Sequence, residues 1–346
     1  MGRSHEASFP NPPGIAALEP SEGRRPFWSV MIPAFNPRKE HLEKTIGSVL
    51  EQGYGTEEME IVVVDDCSPV ADIAALVGSV AGGRVRFERN ESNLGLAGCW
   101  NSCIERSRGQ WIHILHQDDY ISPGFYRHLQ GIAESHPELG LLAARSFMLD
   151  RDGAIIGVTP RLLTLERGGN SIEEFFYQTP IQCPGVVVCR RCYEEGGGFR
   201  QDLKFTLDCE MWARVIEASG GLVTSQVLAY YRTGAGSESS RLWRTGEALA
   251  DLAVLNSLFS SRYEGFDAAK ARRKLLEMAR SAELRMVQLG DVAGMRVCRE
   301  FWEKNITPEV RFEWFLRRVK SLAVAALAKF VPGPSRSGTG TNSSLA

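Results

Sequence analysis

Between Trp28 and His116, short apolar runs alternate with amphipathic stretches, and this alternation narrows the fold more than any other feature of the chain. Ser29–Pro33, Glu60–Val64, Val85–Glu88 and Trp111–Leu115 read as strands. The intervening segments carry helical spacing. Leu42, Ile46, Val49 and Leu50 share one face of a helix expected to start at Asn36-Pro37, with Asn as cap and Pro at the first helical position. Ile73–Val80 and Leu96–Arg106 read as two further helices. Strand–helix–strand units of this kind build a parallel α/β sheet whose central strands are buried on both faces.

Two of these strands run straight into acidic pairs: Asp65-Asp66 after the second, and Asp118-Asp119, one residue beyond His116-Gln117, after the fourth. In open α/β sheets ligands bind beyond the carboxyl ends of strands. Carboxylates gathered there repel one another unless a cation or donor groups stand between them. A plain turn-forming role for each pair stays open at this point.

Beyond Pro123 the pattern is mixed. A helix to about Ser135 precedes Leu141–Leu149 and Ala154–Val158, which read as a hairpin about Asp152-Gly153. Val186–Cys189 is a strand, Cys209–Ala218 a helix, and Leu222–Tyr231 a strand pair or one bent strand. From about Ser240 to Phe330 the chain is helical. The expected organisation is a leader (1–26), an α/β domain (27–240), a helical C-terminal region (241–332) and a tail (333–346). The leader and tail, rich in Pro, Gly and Ser, read as disordered.

No apolar run approaches the roughly 20 residues of a spanning helix, and Met1–Pro26 lacks a secretory signal. The expected location is the cytoplasm or the cytoplasmic face of a membrane. A net charge of −2 gives no reason to expect nucleic acid as partner. From Arg241 onward, however, 18 Lys and Arg stand against 11 Asp and Glu, which suits an anionic surface. Phe312–Val331 places basic residues around apolar ones, as in an interfacial helix on anionic lipid or the last helix of a bundle. The eight cysteines show no disulfide pattern, and Cys189-x-x-Cys192 lacks the second pair that zinc would require.

Val30–Asn36, Ile61–Ser68, Asn93-Leu-Gly95 with Asn101, Gly109–Ile112 and Leu115–Asp119 resemble, in order and separation, the signature segments of family-2 glycosyltransferases. Gly197-Gly-Phe199 with Leu207–Arg214 is similar to the acceptor-side segment of that family. The resemblance covers roughly Phe27 to Ser240. It implies a GT-A fold, α/β and Rossmann-like with a mostly parallel sheet flanked by helices, here with a C-terminal helical extension. The implied activity is inverting transfer of a sugar from a nucleoside-diphosphate sugar, UDP or dTDP first, to a hydroxyl of a glycan or lipid-linked acceptor. Cell-envelope polysaccharide or glycolipid assembly is the implied setting. A catalytically weak nucleotide-sugar-binding module of a polysaccharide-assembly complex is the alternative.

The resemblance also implies roles. Pro33, Ala34, Phe35 and Asn36 line the nucleotide base, with Phe35 able to stack on it. Asp66 accepts from the pyrimidine N3–H, which uracil and thymine carry and cytosine lacks; Asp65 holds the loop or joins it. Asn93, Gly95 and Asn101 shape the base and ribose wall, Gln117 lies beside the ribose, and Arg232 meets the diphosphate. Asp118, backed by Asp119, holds Mn²⁺ or Mg²⁺. Asp208 is the general base, with Glu210 as the competing acid. Three positions depart from the family pattern: His116 replaces the first Asp of Asp-x-Asp-Asp, Leu207 replaces the Glu before the base, and Gly234 stands in a Gly/Ser-rich stretch, a lid or a linker, where a His is common.

Overall fold

The computed structural model describes residues 9–19, 25–69, 72–161, 165, 181–234, 237–308 and 310–312. Nine strands among these form one sheet: β1 (Trp28–Ala34), β2 (Met59–Asp65), β3 (Arg86–Arg89), β4 (Trp111–Ile114), β5 (Tyr120–Ile121), β6 (Leu141–Leu149), β7 (Ile155–Val158), β8 (Val186–Cys189) and β9 (Gly221–Arg232). Their order is β3-β2-β1-β4-β8-β6-β9-β5, with β7 paired to β6 off this path.

The half built from β1–β4 is parallel. The other half is mixed: β8 runs antiparallel to β4 and β6, β5 antiparallel to β9, and β6 parallel to β9. The expected mostly parallel sheet is therefore confined to the first half. β9 is one long strand whose pairing with β6 shifts register around Arg145, which settles the choice between a strand pair and a bent strand.

Every residue of β1 and β2 is buried, and successive side chains enter opposite layers. Val30 and Ile32 of β1, with Ile61 and Val63 of β2, meet α1 (Lys39–Leu50), α2 (Ile73–Ala81) and α4 (Phe125–Ser135). Met31, Val62 and Val64 face α3 (Gly95–Arg106) and, farther along the same layer, α6 (Leu207–Ser219). A short helix, α5 (Arg190–Gly196), precedes α6.

The helical region comprises α7 (Glu238–Thr245), α8 (Glu247–Arg262), α9 (Ala268–Gln288) and α10 (Val292–Asn305). α6 joins it to the α/β domain: Met211, Trp212 and Val215 belong to the sheet-side core, whereas Cys209 and Ala213 pack with Leu249, Leu255 and Phe259. Asp251 of α8 tightens this junction by accepting hydrogen bonds from the backbone N–H of Lys204, Phe205 and Thr206, just ahead of α6.

Two expectations are corrected. α1 starts at Lys39, and its cap position, Arg38, makes no side-chain capping bond. Asn36 instead takes a positive φ of 44°, a conformation Asn tolerates better than most residues, and its N–H donates to Ser68 Oγ at 2.8 Å. Within the leader, residues 9–19 pack on the domain. Ile15 is buried in the core beside Trp100 and Phe199, and the Pro13 carbonyl accepts from Gly198 N–H at 2.8 Å. The remainder of the leader (1–8 and 20–24), most of the Asn170–Gly185 stretch, nearly all of the basic Phe312–Val331 segment and the tail lie outside the described residues.

Candidate active site

The carboxyl ends of β1, β2 and β4 open into a cavity of about 640 Å³. Pro33, Ala34, Phe35, Asn36, Asp66, Asn93 and Gly95 line one end of it, Gln117, Asp118 and Arg232 another part, and Leu207, Asp208 and Tyr231 the side toward α6. Eleven of the fourteen expected site residues are thus brought to one hollow.

At the β1–β2 end the backbone is held so that one aromatic ring stays free. Gln117 clamps Phe35, accepting from its N–H at 2.8 Å and donating to its carbonyl at 3.2 Å. The Phe35 ring is left 45% exposed. The Asp66 carboxylate is almost wholly buried and accepts from Asn90 Nδ2 at 2.8 Å, Leu94 N–H at 3.0 Å and Gly95 N–H at 3.0 Å. It therefore pins the N-terminus of α3, where unpaired backbone donors gather, and still faces the cavity. Gly95 sits at φ 71°, which a residue without a Cβ adopts freely.

Asp65, Asn101 and Asp119 do not line the cavity. Asp65 is fully buried, accepts from Ser68 Oγ at 2.5 Å and pairs with Arg89, so it holds the β2 loop. Asn101 bridges the Phe199 backbone, donating to its carbonyl at 2.8 Å and accepting from its N–H at 2.7 Å. A Cβ on Gly198 would stand 2.3 Å from Asn101 Oδ1, which explains the glycine there. Arg214 fixes the same turn by donating to the carbonyls of Gly196, Gly197 and Gly198.

Asp119 lies behind Asp118. Its Oδ1 accepts from Arg232 N–H at 2.8 Å, and its Oδ2 is buried without a hydrogen bond, 3.5 Å from His116 Nδ1. Burial pushes Asp119 up to about 6, against the pull of His116. Burial draws the His116 imidazole down, but Asp119, Asp118 and Asp208 outweigh it and raise the group overall. The ring leans on Trp100, with centroids 5.0 Å apart.

Asp118 is half-buried in the cavity wall, and no hydrogen bond or ion pair holds its carboxylate among the described residues. One free carboxylate with an orphaned carboxylate oxygen behind it suits a hard divalent cation, which takes few protein ligands when phosphate oxygens and water complete its shell. No cluster of three or more His, Cys, Asp or Glu among the described residues could hold a metal by itself.

Asp208 stands in the first turn of α6. Its Oδ1 accepts from Cys209 N–H at 2.7 Å, and Oδ2 receives a weak contact from Cys183 Sγ at 3.7 Å. Burial raises its carboxyl above the usual carboxylate range, although the Cys209 N–H and His116 pull the other way. The competing acid, Glu210, is turned away: it is 1% exposed and paired with Arg214, with Nε–Oε1 at 2.9 Å.

Sequence reasoning missed Lys204, Trp100, Cys183 and Tyr231 in the cavity wall. Lys204, four residues before Asp208, was the one with a legible signal, and it pairs with Glu247 at 2.6 Å. All eight cysteines are unpaired. No helix of the described residues is long and apolar enough to cross a membrane.

The family model described as glycosyl transferase family 2 matches residues 29–191. An uncharacterized protein of Mycobacterium tuberculosis is 30% identical over 239 residues, which span 66% of this chain and 73% of that one. The amylovoran biosynthesis glycosyltransferase AmsE of Erwinia amylovora is 27% identical over 193 residues, 55% of this chain and 69% of its own. Two other relatives are matched over only 20% and 37% of their own lengths. Among solved structures, S. aureus TarS in complex with UDP-GlcNAc superposes with a TM-score of 0.53 at 16% identity, covering 81% of this chain and 93% of that one. The mannosyltransferase PcManGT from Pyrobaculum calidifontis, in complex with GDP-Man and Mn²⁺, gives 0.53 at 15% identity, covering 89% and 90%. With its GT-A α/β sheet and helical C-terminal region, this chain belongs to the family-2 glycosyltransferases.

Proposed function

We propose that the cavity binds a nucleoside-diphosphate sugar, UDP or dTDP first, and transfers the sugar with inversion to a hydroxyl of a glycan or lipid-linked acceptor in envelope polysaccharide or glycolipid assembly. The observation that carries this is one hollow holding both a carboxylate without partners among the described residues, Asp118, and a half-buried carboxylate raised above its usual range, Asp208. Phe35 stacks on the base, and Asp66 takes the pyrimidine N3–H. Arg232 offers positive charge to the diphosphate. Asp118 would hold Mn²⁺ or Mg²⁺ with Asp119 behind it, and the cation, when bound, supplies positive charge to the departing diphosphate.

Asp208 takes the proton of the acceptor hydroxyl as its oxygen attacks the anomeric carbon opposite the diphosphate. A raised carboxyl makes a better proton acceptor once ionised. The AmsE relative supports the polysaccharide setting, and the TarS and PcManGT complexes support nucleotide-sugar binding. Thermal-shift titration with UDP-, dTDP- and GDP-sugars in Mn²⁺ tests the reading: a uracil or thymine nucleotide should raise Tm most. A larger shift from the GDP-sugar would refute the base assignment, and no shift from any of them would refute donor binding. The basic C-terminal segment further suggests peripheral contact with anionic lipid; flotation with anionic vesicles at low salt and release at high salt would support it, and no flotation would remove it.

A further inference from the structure

A second hollow of about 240 Å³ lies on the other side of Asp208 and shares Gln182, Phe205, Asp208 and Tyr231 with the main cavity. Its far wall comes from the helical region: Trp243 of α7, Leu252 of α8, and Met278 and Arg285 of α9. Among the described residues, only two charged side chains line it, Asp208 and Arg285. Other arginines of the helical region are committed: Arg241 pairs with Glu238 and Glu247, while Arg280 and Arg299 both pair with Glu283. Arg285 has no ion pair and no side-chain hydrogen bond among the described residues. Phe205 and Trp243 meet edge to face with centroids 5.5 Å apart, giving the wall an aromatic corner.

We infer that this hollow is the acceptor subsite and that it selects a saccharide carrying an anionic group, carboxylate or phosphate, which Arg285 pairs. The inference rests on Asp208 being the base, since the attacking hydroxyl must lie against that carboxylate. The volume suits one sugar residue, and the aromatic corner suits the apolar face of its ring. Guanidinium presents a planar fork that matches carboxylate and phosphate oxygens in pairs. Arg285 is itself exposed, and Trp243, Leu252 and Met278 give the rest of that wall an apolar character. Asp208 and Arg285 would thus divide the work, one receiving the proton and the other selecting the substrate.

The test uses the full chain saturated with UDP and Mn²⁺, so that the donor site is filled, and methyl β-glucuronide, glucose 1-phosphate and neutral methyl β-glucoside as probes. Affinities are read by saturation-transfer NMR in the wild type, Arg285→Ala and Arg285→Lys. At least one anionic probe should bind about tenfold or more tightly than the glucoside. Arg285→Ala should erase that preference and leave UDP affinity unchanged, and Arg285→Lys should keep part of it. The two anionic probes separate a carboxylate-selective from a phosphate-selective site. Equal binding of charged and neutral probes, no binding of either anionic probe, or a preference that survives Arg285→Ala overturns the inference. Failure of UDP itself to bind would instead remove the proposed uracil-nucleotide donor, which the test uses to fill the donor site.

Discussion

Asp208→Asn separates the proton-accepting role of this carboxylate from its place in the fold. Asparagine keeps the volume and the Oδ1 acceptor that meets Cys209 N–H at 2.7 Å, so α6 should start as before. What disappears is the ability to take a proton. Removing a general base costs about 10² to 10⁴ in rate, equivalent to about 3–5 kcal/mol of barrier.

Stability should move the other way. Burial raises the folded carboxyl above its ordinary value, so the folded state favours the protonated form. Its contribution to stability is greatest below the unfolded value near 4 and is lost as pH rises through the folded one. At pH 7 the wild type carries the cost of the partly buried charge, and the Asn variant should melt at the same temperature or higher. The difference should shrink as pH falls. The acidic limb of the transfer rate should also lie above the ordinary carboxylate range and be missing from the residual activity of the variant. The assays are steady-state transfer, calorimetric nucleotide titration and thermal melts between pH 4 and pH 8. A variant that loses nucleotide binding with activity, or melts several degrees lower at pH 7, would show that Asp208 is a structural or metal-holding residue.

Asp66→Ala removes the acceptor from three donors, Asn90 Nδ2, Leu94 N–H and Gly95 N–H, and should cost on the order of 3–5 kcal/mol of stability. It should also weaken uridine and UDP alike, with or without Mn²⁺; unchanged uridine binding in a folded variant would contradict the base contact. Arg214→Met should cost about 3–5 kcal/mol, because it leaves the buried Glu210 carboxylate with the longer Arg262 contact at 3.8 Å and frees the Gly196–Gly198 carbonyls. A melt within 1 °C of wild type would mean that this turn is held by other contacts.

The parallel half of the sheet was legible because it depends on local pattern. Apolar runs that must be buried on both faces, each followed by amphipathic spacing, leave few arrangements other than β1–β4 with α1–α3 between them. The acidic ends of β2 and β4 then fall on one rim for topological reasons. In the second half the strands at Leu141–Leu149, Ile155–Val158 and Val186–Cys189 and the β6–β7 hairpin were legible, but the strand order was not: β8 inserts between β4 and β6, and β9 between β6 and β5, pairings between distant segments that no window of sequence reveals.

The site shows the same division. Asp66, Asp118 and Asp208 carry signals of position and type, and all three line the cavity. Asn101 carries a signal of type only, and its amide is spent on Phe199. Asn36 has the residue type of a cap, yet contacts made by Phe35 and Asn36 across the sheet rim, to Gln117 and Ser68, set the loop conformation. Ile15 was hidden in a stretch of Pro, Gly and Ala whose composition suggested disorder, although one buried side chain and a few backbone bonds suffice to seat it.

The most direct test of the account is UDP binding with and without Mn²⁺, measured calorimetrically on the wild type and Asp118→Ala. The carboxylate of Asp118 stands in the cavity without a partner among the described residues, and its proposed use is to hold the cation that meets the diphosphate. The wild type should bind UDP about tenfold or more tightly in Mn²⁺ than in EDTA, while Asp118→Ala should bind equally in both, at the level of the wild type in EDTA. A wild type indifferent to Mn²⁺, or an Asp118→Ala variant that keeps the full gain, would contradict it.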